Sequence, residues 1–218
     1  MKTKKMTAAC VLFVLFLLLI VLIKTVDVQT VGPENAQIGL AGLNTGFHKM
    51  TGLQMSLYKV TQITGYLAIL TAVLFAAYGV WQMVQRKSLA RVDRDLYALA
   101  GLYVALGMCY IFFEKFIVNY RPVILDEGLE ASFPSSHTML ATCLLLAAFE
   151  QVRRRMKGQT LGNVLCILCA VLLAVTVLGR LFSGVHWLTD ILGGLLLGTS
   201  LYLFYAAVVD WLGKKASR

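Results

Sequence analysis

"TAACVLFVLFLLLIVLI", residues 7–23, is an uninterrupted apolar run preceded by Lys2, Lys4 and Lys5. A helix that crosses the hydrocarbon core of a bilayer, about 30 Å thick, needs about 20 predominantly apolar residues. This run therefore predicts a membrane-spanning helix. The composition of the whole chain agrees, since 59% of its 218 residues are hydrophobic and its mean hydropathy is +0.76.

Five further apolar stretches approach the same length, and they cover residues 60–83, 96–113, 138–149, 161–179 and 191–209. The stretch 138–149 is short, but polar residues before it and arginines after it can lie at the two membrane interfaces. No linker or internal repeat divides the chain. We therefore predict an all-α fold, a bundle of six transmembrane helices that forms one integral-membrane domain over residues 1–218.

The first apolar run could also be a secretory signal peptide, because lysines precede it. No small-x-small cleavage site follows it, since residues 24–35 read "KTVDVQTVGPEN". We therefore expect an uncleaved membrane anchor.

Most of the 20 Lys and Arg residues fall in four clusters, at residues 2–5, 86–94, 153–157 and 214–218. With six spans and both termini in the cytoplasm, all four clusters lie on the cytoplasmic side, as the positive-inside bias requires. The formal charge of +9 is thus explained by membrane topology, and we expect no binding to nucleic acid. The predicted location is the cell membrane, with residues 24–57, 114–137 and 180–190 facing the exterior.

The first exterior segment, residues 24–57, has two interpretations. Its apolar residues among polar residues and glycines fit a short amphipathic helix at the membrane interface. A glycine-rich loop fits almost equally well. His48 is expected to be a solvated loop residue.

The other two exterior segments hold an unusual set of ionisable residues, which at membrane depth indicate a functional site. In "RLFSGVHWLTD", residues 180–190, His186 and Asp190 are four residues apart, so their side chains meet on one face if the last helix begins at His186. A carboxylate that holds one imidazole nitrogen leaves the other nitrogen free to act as a nucleophile.

The stretch "FPSSHTML", residues 133–140, places Ser135, Ser136 and His137 at the start of a helix. The first backbone N–H groups of a helix lack partners and attract anions such as phosphate. Ser135 fits the N-cap position. His137, beside a bound anion, could remain protonated and give a proton to a leaving oxygen.

Three cations complete this set: Lys115 and Arg121, before Pro122, and Arg180. Arginine grips two phosphate oxygens at once, and lysine adds a point charge. The pair of His186 and Asp190, the stretch 135–137 and these three cations together predict a phosphate pocket at the outer membrane surface.

These residues resemble the type 2 phosphatidic acid phosphatase superfamily of membrane lipid phosphatases. The motifs of that family are K-x6-R-P, P-S-G-H and S-R-x5-H-x3-D. They have counterparts here in "KFIVNYRP" (115–122), "PSSH" (134–137) and "GRLFSGVHWLTD" (179–190), and the resemblance covers residues 96–209.

The resemblance implies a phosphatase that needs neither a metal ion nor another cofactor. His186 would attack phosphorus and form a phosphohistidine, Asp190 would orient His186, and His137 would protonate the leaving group. Bound phosphate would be held by a further group of residues, namely Lys115, Arg121, Ser135, Ser136 and Arg180.

The sequence departs from the family pattern at three positions. Ser136 replaces the glycine of P-S-G-H, and Gly179 replaces the serine before Arg180. Lys115 precedes Arg121 by six residues instead of seven, so Glu114 occupies the expected lysine position. Six residues correspond to a different helix face from seven. We expect the helix to unwind before Pro122 so that Lys115 still reaches the phosphate; the alternative is a pocket without this lysine.

The leading functional hypothesis is hydrolysis of undecaprenyl diphosphate to the monophosphate at the outer leaflet. Phosphatidic acid and phosphatidylglycerol phosphate are alternative substrates. A different class of function, a non-enzymatic lipid carrier on the same fold, would predict loss of a catalytic histidine, yet both are present. The expected partners are the lipid bilayer and a lipid phosphate, and the sequence leaves the oligomeric state open.

Overall fold

The computed structural model describes residues 2–125 and 128–216, which form seven α-helices and a two-stranded ribbon. The helices are α1 (Lys2–Thr25), α2 (Ala41–Thr51), α3 (Met55–Arg86), α4 (Arg94–Lys115), α5 (Ser136–Arg155), α6 (Thr160–Phe182) and α7 (Leu188–Ala216). The antiparallel strands are β1 (Gln29–Thr30) and β2 (Gln37–Ile38), and short 3-10 turns lie at Pro33–Asn35 and Leu89–Arg91. The six long helices correspond to the six predicted spans, so the all-α helical bundle is confirmed.

Five of the long helices, α1, α3, α4, α6 and α7, have the length and apolar composition needed to cross a membrane. The sixth, α5, lies inside the bundle and packs against α3, α6 and α7. Most of its side chains are buried, including Glu150 and Gln151 near its end. A helix that contacts protein on most sides does not need a fully apolar surface, which explains its short apolar run.

Helices α5 and α7 approach each other closely because glycines of α7 face α5. A Cβ atom at Gly194 would lie 2.9 Å from the carbonyl oxygen of Ser135, and one at Gly198 would lie 2.8 Å from that of Met139. The backbone N–H of Ser135 also donates to the carbonyl oxygen of Asp190 at 2.9 Å. The first turns of α5 and α7 are therefore held directly against each other.

Helix α1 is part of the bundle core. Ala9, Phe16 and Ile23, spaced seven residues apart, are all buried, as expected for one face of a helix packed along a neighbour. The hydroxyl of Ser200 in α7 donates to the carbonyl oxygen of Ala9 at 2.9 Å. The ring of Phe16 lies 5.7 Å from that of Phe133, next to the P-S-S-H segment.

The segment 24–57 forms the ribbon and helix α2, so the helical interpretation of this segment is correct for residues 41–51. The expectation that His48 is a solvated loop residue is wrong. His48 lies in α2 and is half-buried, with Nε2 3.0 Å from the carbonyl oxygen of Gly184. The surrounding tertiary contacts order this glycine-containing stretch as a helix.

The two ends of the bundle carry different groups of charged residues. We call the end where α3, α5 and α7 finish the basic end. There Arg155 donates to Asp93, Asp95 and Gln151, each at 2.8 Å. Gln82, buried in α3, also donates to Asp93 at 2.8 Å.

A second group of ion pairs at the basic end connects α1, α5 and α7. Arg154 lies 2.7 Å from Glu150 and 2.5 Å from Asp210, and Lys5 lies 2.9 Å from Asp210. These interactions join helices that are distant in sequence. The opposite end, which we call the site end, contains the motif residues.

Candidate active site

A cavity of about 430 Å³ lies at the site end, between α4, the start of α5 and the connection from α4 to α5. Its wall includes residues from all three sequence motifs: Arg121, Ser136, His137 and His186. The fold thus brings together residues that are up to 65 positions apart in the chain, from 121 to 186. The same wall also contains Glu114, Glu130 and Ser132.

His186 is held on one side by Asp190 and Ser132. The Oδ2 atom of Asp190 lies 3.6 Å from Nδ1 of His186, which is longer than a hydrogen bond. The hydroxyl of Ser132 lies between them, 3.2 Å from Nδ1, and donates to Asp190 Oδ2. With the proton on Nδ1, His186 donates to Ser132, and Nε2 keeps a free lone pair.

Asp190 also shapes the chain around His186. Its Oδ2 accepts the backbone N–H of Trp187 at 2.8 Å, which closes the turn immediately before α7. All three side chains that orient the imidazole, His186, Asp190 and Ser132, are at least 96% buried. The imidazole therefore has a fixed orientation.

The pKa of His186 is lowered well below its ordinary value of 6.5. Burial is the largest cause, because it disfavours the charged imidazolium, and the nearby positive charges of Arg121 and Arg180 add to it. The His186 imidazole is therefore neutral near pH 7, the form in which Nε2 can act as a nucleophile.

Arg121 follows α4 and is mostly buried. One of its nitrogens, Nη2, pairs with Glu130 at 2.9 Å, while Nε and Nη1 are buried and have no protein partner. The backbone N–H of Arg121 donates to the carbonyl oxygen of Glu130 at 3.1 Å. The α4–α5 connection thus fixes the guanidinium and leaves two donors for another group.

Arg180, in the last turn of α6, is fully buried but does not line the cavity. Its Nη2 donates to Gln62 at 2.6 Å, and its guanidinium lies 4.7 Å from the centre of the Tyr58 ring. Its Nε has no protein partner. Residues of α3 therefore hold this cation behind the cavity wall.

Ser135 occupies the N-cap position of α5, as predicted, but its hydroxyl makes no capping hydrogen bond and instead accepts one from Thr138 at 3.1 Å. Its backbone N–H is engaged by Asp190, so this N–H is not a free donor. Ser136 and His137, in the first turn, line the cavity. His137 Nδ1 and His186 Nε2 are both buried without a protein partner.

Lys115 does not reach the cavity, contrary to our expectation from the sequence. Helix α4 continues regularly to Lys115, and the N–H of Phe116 still donates to the carbonyl oxygen of Phe112 at 2.7 Å. The helix therefore does not unwind to correct the short spacing, so Lys115 is exposed and Glu114 lines the cavity instead.

The structure gives a steric reason for Gly179, which replaces a serine of the family motif. A Cβ atom at Gly179 would lie 2.4 Å from the methyl group of Thr61 in α3. Nearby, Thr176 donates to Thr64 at 2.7 Å. A serine at position 179 would therefore push α3 and α6 apart.

A second cavity, of about 360 Å³, adjoins the first between α3, α4 and α5 and shares Tyr110, Ser136 and His137 with it. Gly65 of α3 faces His137 here, and a Cβ atom at Gly65 would lie 2.6 Å from the imidazole. The exposed residues Tyr66 and Ile69 also line it. We call this cavity the side cleft.

Several residues of the site were not predicted from the sequence: Gln62, Gly65, Glu130 and Ser132. Ser132 stands two positions before Pro134, so its nearness to a motif was a usable signal. The two α3 residues lie in an apolar helix outside the motifs, where only the tertiary fold brings them to the site.

Comparisons with known proteins identify the family and a similar fold. Residues 96–214 match the model of the PAP2 superfamily. Phosphatidylglycerophosphatase B of Bacillus subtilis (strain 168) is 29% identical over 90 residues, which cover 41% of this chain and 43% of that protein. The matched segment thus spans less than half of the length of that relative.

The fold is similar to the crystal structure of a transmembrane PAP2-type phosphatidylglycerolphosphate phosphatase from Bacillus subtilis. The TM-score is 0.66 and the identity 20%, with 93% of this chain and 96% of the other covered. This likeness concerns the fold, whereas the family match covers more than half of the chain. The chain therefore belongs to the PAP2 superfamily.

Proposed function

We propose that this protein is a membrane phosphatase that removes phosphate from a lipid phosphate through a phosphohistidine at His186. The observation that carries the proposal is a set of buried nitrogen atoms without protein partners around one cavity, on Arg121, His137 and His186. Buried polar groups without partners are costly. A phosphate group here would accept hydrogen bonds from Arg121 and from protonated His137, and its phosphorus would face the lone pair of His186 Nε2. The lipid-exposed helices and the side cleft support a substrate that enters from the bilayer.

In the first step, Nε2 of His186 attacks phosphorus while the bond from phosphorus to the leaving oxygen breaks. Asp190 and Ser132 hold the Nδ1 proton and stabilise the positive charge that develops on the imidazole. His137 donates a proton to the leaving oxygen.

In the second step, water attacks the phosphohistidine and the bond from phosphorus to Nε2 breaks. His137, now neutral, takes a proton from this water. The products are inorganic phosphate and His186 in its starting form. No residue is oxidised or reduced in either step.

The phosphate oxygens are proposed to be held by Arg121 and by the first turn of α5 at Ser136, with Ser135 supporting that turn. Arg180 adds a second positive charge from behind the wall, and Gln62 and Tyr58 keep it in place. Lys115, which the family motif would place here, has no role in this proposal because it lies outside the cavity.

Among lipid phosphates, we propose a phosphate monoester such as phosphatidylglycerol phosphate or phosphatidic acid as the preferred substrate. Glu114 and Glu130 line the cavity and would repel the additional negative charge of a diphosphate. Carboxylates also accept hydrogen bonds from the hydroxyl groups of a glycerol headgroup. The similar Bacillus subtilis proteins are named as phosphatidylglycerol phosphate phosphatases, which also supports a preference for a phosphate monoester over a diphosphate. Undecaprenyl diphosphate, the leading substrate from the sequence, therefore becomes the second candidate.

We further propose that both termini and the basic end face the cytoplasm and that the site end faces the exterior, following the positive-inside bias. A membrane-impermeant maleimide applied to intact cells should label a Glu34→Cys variant and leave a Lys157→Cys variant unlabelled. Both positions are exposed and lie at opposite ends of the bundle. The reverse labelling would refute this orientation.

Phosphate release from purified protein in detergent tests the function. The panel contains phosphatidylglycerol phosphate, phosphatidic acid, undecaprenyl diphosphate and undecaprenyl monophosphate, with chelator present throughout. His186→Ala and His137→Ala should each lower the rate by roughly 10³-fold or more, as for other residues that act directly on the reacting bonds. If no lipid phosphate is hydrolysed, or if His186→Ala behaves like the parent, the proposed phosphatase is wrong.

A transport assay distinguishes the carrier hypothesis from the phosphatase hypothesis. Parent protein and His186→Ala are reconstituted in liposomes with a labelled lipid phosphate, and its transfer between leaflets is measured. Transport by both proteins without phosphate release would support a carrier. A labelled phosphoenzyme that is stable in base and labile in acid, present in the parent and absent in His186→Ala, would support the phosphatase.

A further inference from the structure

The segment 41–55 lies directly on the loop that carries His186. This loop, residues 183–187, connects α6 to α7. The backbone N–H of Gln54 donates to the carbonyl oxygen of Ser183 at 2.9 Å. His48 Nε2 lies 3.0 Å from the carbonyl oxygen of the next residue, Gly184.

The far end of the loop is held by Asn44, which is fully buried. Its Oδ1 accepts the backbone N–H of Thr189 at 3.2 Å, and its Nδ2 donates to the hydroxyl of Thr189 at 3.1 Å. Nδ2 also donates to the carbonyl oxygen of Gly39 at 2.9 Å. One side chain thus satisfies a backbone donor in the first turn of α7 that would otherwise have no partner.

The contact between the two segments leaves no space for adjustment. Gly184 has a φ of +72°, and a Cβ atom there would lie 1.9 Å from the carbonyl oxygen of Gly52. Glycine is therefore required for the conformation as well as for the close approach. The loop and the turn between α2 and α3 are therefore in direct backbone contact at Gly184 and Gly52.

The segment also connects the loop to the chain that carries Arg121. The His48 ring lies 5.5 Å from the ring of Trp187, which is buried. The indole N–H of Trp187 donates to the carbonyl oxygen of Tyr120 at 2.7 Å. Trp187 is therefore fixed between helix α2 and the residue before Arg121.

We infer that helix α2 is a clamp that positions the nucleophile, with Asn44 and His48 as its positioning residues. The inference rests on the proposed function, in which His186 Nε2 attacks phosphorus. Neither residue lines the cavity, so both act through the backbone of residues 183–189. The clamp lies outside residues 96–214, so the family match does not contain it.

The kinetic test compares His48→Ala with His48→Gln, since the amide of glutamine can still donate to Gly184. Rate losses on the order of 10²-fold are known for small displacements of catalytic groups, so His48→Ala should lower kcat by about 10-fold or more. KM should stay within about twofold, because the phosphate-binding groups are unchanged. His48→Gln should recover most of kcat. Lys49→Ala, an exposed neighbour in α2, is the matched control and should equal the parent.

A second measurement does not depend on catalysis. Hydrogen exchange followed by mass spectrometry should show faster exchange of the backbone amides of residues 183–190 in His48→Ala and in Asn44→Ala than in Lys49→Ala. Amides at the basic end should be unaffected. An inactive parent protein would refute the phosphatase, while this exchange difference would still report on the clamp. The clamp is wrong if exchange at residues 183–190 is unchanged in both variants, or if His48→Ala keeps the kcat of the control.

Discussion

The two ends of the helix bundle both carry several charged residues, yet they differ in how these charges are paired. At the basic end, Arg154 and Arg155 each lie within 2.8 Å of two carboxylates. At the site end, Arg121 has one carboxylate partner and two buried nitrogens without one. Paired charges connect helices, whereas buried hydrogen-bond donors without protein partners are suited to bind a ligand. The difference separates residues that hold the fold together from residues that we propose to serve the reaction.

The strongest test exchanges one arginine from each end for alanine. Arg121→Ala should lower kcat/KM by about 10²- to 10³-fold, the usual result of removing a donor to a transition-state oxygen. Its unfolding free energy should change little. Arg155→Ala should keep most of the activity but destabilise the fold by about 2 kcal/mol, because charged hydrogen bonds to Asp93 and Asp95 are lost. Phosphate release and thermal unfolding in the same detergent measure both effects, and equal stability losses for the two variants would remove the distinction.

A pair of buried serines sharpens the same comparison with a somewhat smaller expected effect. Ser132→Ala should lower kcat by about 10- to 100-fold, since His186 loses the hydroxyl that connects it to Asp190. Ser200→Ala removes a hydroxyl that is equally buried but bonds only to the backbone of α1, and kcat should not change. Steady-state kinetics of the two variants provide the measurement. Full activity in Ser132→Ala would mean that Asp190 orients His186 without this serine.

Glu114 and Lys115 allow a test of substrate preference. Glu114→Gln removes a negative charge from the cavity wall, so the rate ratio of undecaprenyl diphosphate to phosphatidylglycerol phosphate should rise by about fivefold, which corresponds to about 1 kcal/mol of repulsion. Lys115→Gln, one residue further along α4, is the control and should leave the ratio unchanged. A large activity loss in Lys115→Gln would show that this lysine reaches the phosphate after all.

The smallest expected effect concerns acid stability at the basic end. Burial alone would raise the pKa of Asp93, but hydrogen bonds from Gln82, Arg86 and Arg155 outweigh it and lower the pKa to about 2, from an ordinary value of 3.8. A carboxyl group whose pKa is lowered by folding stabilises the folded protein when the pH is above the ordinary pKa of the group. This contribution is lost as the pH falls from about 4 towards 2. Because Asp93 is partly exposed, screening should limit the effect to at most about 1 kcal/mol. The melting temperature of Asp93→Asn should therefore depend less on pH in this range than that of the parent, and parallel curves would contradict the assignment.

Much of the architecture could be predicted from the sequence because a helix that crosses a bilayer needs about 20 apolar residues. Apolar runs gave the six long helices, including α5, whose run is short because protein surrounds it. The motif spacing predicted that His186 and Asp190 lie close together, and they do, although α7 begins only at Leu188 and His186 is in the preceding loop. The fold places Arg121 and His137 on the same cavity wall. These features depend on local periodicity or on the order of motifs.

The remaining features depend on tertiary contacts that periodicity does not encode. Lys115 was expected at the phosphate because the carboxylate of Glu114 would repel it, but the backbone hydrogen bonds at the end of α4 keep the helix regular. Ser132 takes its place between His186 and Asp190 through the hairpin that pairs Tyr120 with Ala131. The environment of His48 could not be predicted because its partner, Gly184, is 136 residues away.

The glycine contacts between α5 and α7 have a consequence for how this protein could evolve. They join the turn of His137 to the turn of Asp190 as one rigid unit, while α3, α4 and the start of α5 line the side cleft. Under the proposed function, the reaction depends on the unit of α5 and α7, whereas Tyr66 and Ile69, the exposed side-cleft residues that would meet a lipid tail, lie on α3. Substitutions at Tyr66 or Ile69 could adapt the protein to a longer or branched tail while the two histidines keep their geometry, so relatives with the same chemistry can diverge in the lipids that they accept.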